Sequence, residues 1–148
     1  MIKNGWYVIT GSYFVTLFLA SWMYTAITKL PIDQHRDVSG LVLGSVMVVI
    51  PYIVGGLYAG IAHKRGASKA AVWIGILPAI AEKVLIFLIG ICYVIMEGSP
   101  VTWENVMMFV SAEAVPYFTN AYLLTFPLSV LVCVATAACV HVVTRSKG

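Results

Sequence analysis

Charge is what this chain has least of. Only 10% of its 148 residues are Asp, Glu, Lys or Arg, 61% are hydrophobic, and mean hydropathy is +0.95. A soluble globular domain is about 25% charged, and disordered chains are poorer still in apolar residues, so both classes are excluded. Cysteine is scarce too. Cys92, Cys133 and Cys139 form no CxxC pair and no metal-ligand spacing. All three fall in apolar stretches, where they read as small packing residues. That placement argues against a four-helix thiol–disulfide oxidoreductase, which needs paired cysteines in its outer loops. HExxH, the P-loop, an acidic metal cluster and a nucleophile with a base at helical spacing are all missing, which makes an enzyme the least supported class. A basic cluster with interleaved aromatics is missing as well, so nucleic acid is set aside as a partner. No cofactor or metal site is expected from these residues. The first apolar stretch is long enough to span a bilayer and has no small-residue cleavage site, so it is read as retained and not as a signal peptide.

What the chain does have is long apolar runs. A helix needs about 20 apolar residues to cross the hydrocarbon core of a bilayer. Four stretches meet this, at about 5–28, 41–62, 70–96 and 117–143. The expected fold is therefore an all-α integral membrane protein, one transmembrane domain over residues 1–148. Trp6-Tyr7 with Trp22-Tyr24, and Trp73 with Tyr93, sit near span ends, as interfacial aromatic belts do. A fifth segment, about 100–114, is too short to span. Ser99-Pro100 resembles a helix start, so a short interfacial helix is expected there, with Trp103, Met107, Val110 and Ala114 on one side.

The cations orient the spans. Lys3, Lys64, Arg65, Lys69, Arg145 and Lys147 fall on the side shared by the head, second loop and tail. Lys29 and Arg36 fall on the other. The positive-inside rule then predicts cytoplasmic N and C termini, in the inner (plasma) membrane of a cell.

One pair departs from this pattern. Glu82-Lys83 lies about twelve residues into the third span, some 18 Å deep at about 1.5 Å per residue. A charge at that depth costs at least about 2.5–3.5 kcal/mol on insertion scales, so something must offset it. At about 100° per residue, Gly75, Ala79, Glu82, Lys83, Ile86 and Gly90 share an arc of about 100°, rich in small residues that admit a neighbouring backbone. The pair is therefore expected to face protein. Neighbours at i,i+1 diverge by about 100° on a helix, so at least one of the two is expected to find a partner elsewhere. Glu113 in the interfacial segment is a candidate partner for Lys83 if that segment dips into the bundle. The 70–96 stretch could also be two half-spans broken at the charges.

Three spans carry a proline near mid-depth: Pro51, Pro78 and Pro127. Each removes a backbone donor, leaving the carbonyls of Met47 and Ile74 unpaired in the first two cases. Gly56 and Gly60 make a small-xxx-small pattern, read as packing within the chain ahead of a dimer face.

These features favour a non-catalytic protein. It would act by helix–helix association, as an accessory or regulatory subunit or as a homo-oligomer, using the Glu82–Lys83 pair with Gly75 and Ala79 at the contact. The bilayer and a membrane-protein partner, or a second copy, are the expected partners. The alternative is a small oligomeric transporter or channel moving a solute or ion past Glu82, with the three prolines shaping the path. A minor alternative is a haem-binding anchor, with His63 and His141 at the ends of the second and fourth spans as axial ligands.

Overall fold

A computed structural model describes residues 2–29, 36–63, 66–112 and 122–145, with side chains for all of these except 36–41, 86, 109–112, 122–126 and 145. Strands are absent from the described residues. The helices are α1 (Ile2–Thr28), α2 (Arg36–Ala62), α3 (Ala67–Met96), α4 (Trp103–Ala112) and α5 (Tyr122–Arg145). In α1, α2, α3 and α5 the apolar run is long enough to cross a membrane. A helix suits such runs because it satisfies every interior N–H and C=O within the segment. α3 is the longest, 30 residues and about 45 Å at about 1.5 Å per residue. It passes through Pro78, Glu82 and Lys83 as one helix, so the two-half-span alternative does not describe it.

The ends have local causes. α3 starts after Gly66, whose φ of 83° is left-handed backbone that glycine adopts at little cost. It stops at Gly98, φ 71°, where the amides of Gly98 and Ser99 donate back to the carbonyls of Ile95 and Val94. α4 starts later than Ser99-Pro100 suggests. Thr102 caps it, its Oγ1 accepting the Asn105 N–H at 3.3 Å, while Asn105 Nδ2 donates to the Pro100 carbonyl at 2.8 Å. The stretch from Pro100 is thus a turn folded onto the first turn of α4. Val106 is buried, and the Trp103 ring meets Phe87 of α3 at 5.7 Å between centroids.

Contacts set the order of the bundle. Gly5 meets Ile74, Trp6 donates to the Trp73 carbonyl and Tyr13 reaches Glu82, so α1 and α3 run parallel. Gly56 meets Thr136 and Gly60 meets Val140, so α2 and α5 run parallel to each other. Gly75 meets Val130, and Cys133 Sγ donates to the Ala71 carbonyl at 3.4 Å, so α3 and α5 are antiparallel. The long helices therefore alternate in direction. The starts of α1 and α3 share one end of the bundle with the finishes of α2 and α5.

Small residues make the closest contacts. A Cβ on Gly56 would lie 2.5 Å from the Cys133 carbonyl oxygen, and one on Gly60 2.7 Å from Val140. The Gly56/Gly60 pattern is spent on α5 of the same chain. Ala59, Ala71, Ala79 and Ala137 continue this seam, closed by Ile9, Tyr52, Ile74 and Cys133. The outer face of α1 is apolar and exposed at Phe14, Phe18, Trp22 and Ile27.

Candidate functional site

α3 carries Glu82 in the middle of its apolar length. Its carboxylate is tied on both oxygens. Oε1 accepts a hydrogen bond from the Tyr13 hydroxyl of α1 at 2.8 Å. Oε2 faces Lys83 Nζ at 3.5 Å, at the outer edge of hydrogen-bonding distance. The short contact is thus between helices and the long one is between sequence neighbours. The 100° divergence of adjacent positions on a helix accounts for the longer one. Both charged side chains are largely covered, at 18% exposure for Glu82 and 15% for Lys83.

Tyr52 of α2 adds a second layer. It is 2% exposed, its hydroxyl is hydrogen-bonded to the buried Ser129 of α5, and it lies within electrostatic reach of Glu82. All four long helices therefore converge on this region: α3 supplies the charges, α1 the tyrosine hydroxyl, and α2 and α5 a buried polar pair behind it.

In front of Glu82 is a cleft of about 290 Å³ between α1 and α3. Its floor is Ile9 and Tyr52, both buried. Leu17, Pro78 and Tyr13 form its walls. Thr10, Phe14, Ala81 and Leu85 line it while exposed, so they form its rim. The cleft therefore opens sideways, on the apolar outer surface of the bundle.

The sequence-derived site residues separate into groups. Gly75 and Ala79 are buried, with Gly75 against Cys133 and Val130 of α5. The small half of the predicted contact face is thus covered by the same chain, and only the Glu82 half borders the cleft. Pro78 lines the cleft, Pro51 is fully buried in α2, and Pro127 is exposed on α5. Of the three, Pro78 alone is on the lining of this cleft. Glu113, the suggested partner of Lys83, lies outside the described residues. His63 and His141 fall at the same end of the bundle, near the finishes of the neighbouring helices α2 and α5. His63 Nε2 is buried without a hydrogen-bond partner, and His141 is half-buried. Among the described residues, no group of three or more His, Cys, Asp and Glu side chains is arranged to hold a metal ion.

Sequence reasoning missed Tyr13 and Tyr52. Their signal was available: each is a hydroxyl-bearing aromatic well inside an apolar run, away from the ends where belt residues sit. A buried tyrosine hydroxyl usually finds a hydrogen-bond partner, which makes such a position informative.

Comparison with protein-family models, with curated proteins and with solved structures found no match.

Proposed function

We propose that this chain is a four-span membrane protein with both termini cytoplasmic, and that it acts without catalysis, by associating with another membrane helix at the Glu82 cleft. The partner is a second membrane protein, for which this chain is an accessory or regulatory subunit, or another copy of itself. One observation carries the reading: a largely covered carboxylate at mid-length of an apolar helix, held by Tyr13 and Lys83, faces a cleft that opens sideways. In a bilayer, that opening would face lipid or a neighbouring helix. A carboxylate has about four acceptor positions, so Glu82 can take a further donor there. Orientation is supported by charge: Lys3 and Lys69 share the end of the bundle toward which α2 and α5 run, as the positive-inside rule expects of a cytoplasmic face.

The test is purification of tagged protein in mild detergent at native expression, with mass spectrometry and native mass. A stoichiometric second protein or a defined oligomer is expected, reduced severalfold or lost in Glu82→Gln. Unchanged assembly in that variant rejects the reading.

Pro78 in the cleft wall, one turn before Glu82, favours a second reading, transport of a small solute or ion past Glu82. Here assembly survives Glu82→Gln and flux into liposomes fails. The buried Pro51 and exposed Pro127 lend this reading no shared pathway.

A further inference from the structure

The same cleft has a chemistry of its own that needs no protein partner. Three aromatic residues, Tyr13, Phe14 and Tyr52, line it together with Glu82, and apart from Thr10 at the rim the remaining walls are aliphatic. An aromatic ring attracts a cation through its quadrupole, and a desolvated site strengthens the attraction; clusters of rings recognise substituted ammonium ions in this way. A simple ammonium or metal ion would fit poorly, because the walls offer it few donor atoms to replace water. An ammonium whose substituents are hydrocarbon loses little hydration and gains the walls as well. Size agrees: at about 30 Å³ per water-sized group, the cleft's volume accommodates roughly ten non-hydrogen atoms. Lys83 reaches Glu82 at 3.5 Å and is not part of the cleft lining, so a positive charge within the cleft meets the carboxylate without passing the lysine.

We propose that the cleft between α1 and α3 binds a lipophilic substituted ammonium ion, with its cationic head at Glu82 among the rings of Tyr13, Phe14 and Tyr52 and its hydrocarbon body against Ile9, Leu17 and Leu85. The ligand enters from the side, past the exposed rim.

The experiment uses the purified full chain in lipid nanodiscs and radiolabelled benzyltrimethylammonium. Saturable binding is expected. Neopentylbenzene, its neutral isostere with carbon in place of nitrogen, should compete at least about tenfold more weakly, and Glu82→Gln should weaken binding by about tenfold or more. Phe14→Ala removes a rim ring that the fold does not bury, so it should weaken binding severalfold with melting unchanged; Glu82→Asp should retain binding. If Glu82→Gln fails to fold, the isostere and Phe14→Ala decide the matter. No saturable binding, equal competition by the neutral isostere, or full binding in a folded Glu82→Gln or Phe14→Ala overturns the proposal. Because no protein partner is present, failure here and failure to co-purify a partner are separate results.

Discussion

At the scale of single residues, the organising contact is Tyr13 to Glu82. A hydrogen bond to a charged group contributes about 1.5–3 kcal/mol in soluble proteins. Contacts between membrane helices average only about 0.6 kcal/mol, because the separated helices find other partners in the bilayer. Tyr13→Phe keeps the ring and removes the donor, and Lys83 remains to hold the carboxylate. We therefore expect a loss of about 0.5–1.5 kcal/mol, read as a lower melting temperature of the purified protein in detergent. An unchanged melting temperature would mean that the tyrosine hydroxyl does not hold α1 on α3. The same contact separates what spacing can reveal from what it cannot. The wheel of α3 predicts that Glu82 and Lys83 would not pair well with each other, and the 3.5 Å separation agrees with that. It says nothing about which neighbouring helix supplies the better partner.

At the scale of elements, α2 meets α5 against its backbone at Gly56. A methyl at Gly56 would stand 2.5 Å from a backbone carbonyl oxygen and 2.6 Å from Thr136 Cβ, neither of which can rotate away. Gly56→Ala must push the helices apart, at about 1–3 kcal/mol for overpacking. Gly11, on the outer face of α1, has nothing within 4 Å of the same added atom. Gly11→Ala should leave melting unchanged or raise it slightly, since alanine favours the helix by up to about 1 kcal/mol. If both variants melt alike, close α2–α5 packing is not what stabilises the bundle. The Gly-x-x-x-Gly pattern was legible in the sequence, and so was its preference for packing within the chain. That Gly75 would also be taken by α5 was not legible, because small residues mark a close approach without naming the helix that makes it.

At the scale of the whole molecule, the alternation of α1, α2, α3 and α5 brings Lys3 and Lys69 to one end and Glu97 and Glu104 toward the other. The proposed topology puts the basic end in the cytoplasm. In a variant with the native cysteines replaced by alanine, a cysteine at Glu97 or Thr102 should react with an impermeant maleimide on intact cells. One at Ser68 should react only after permeabilisation. The reverse pattern would invert the protein and leave the positive-inside argument without force here.

The sequence by itself determined the helical class and the four apolar runs, because run length and missing charge depend on each residue's cost of transfer and on nothing distant. It also singled out Glu82 and Lys83, for the same reason. The tertiary structure alone decided that Tyr13 would meet Glu82, that Tyr52 and Ser129 would stand behind them, that Pro78 would line the cleft, and that the site would open sideways between α1 and α3. These depend on which helices neighbour one another and at what rotation. That choice belongs to packing shared by all four long helices, and no single helix's periodicity contains it.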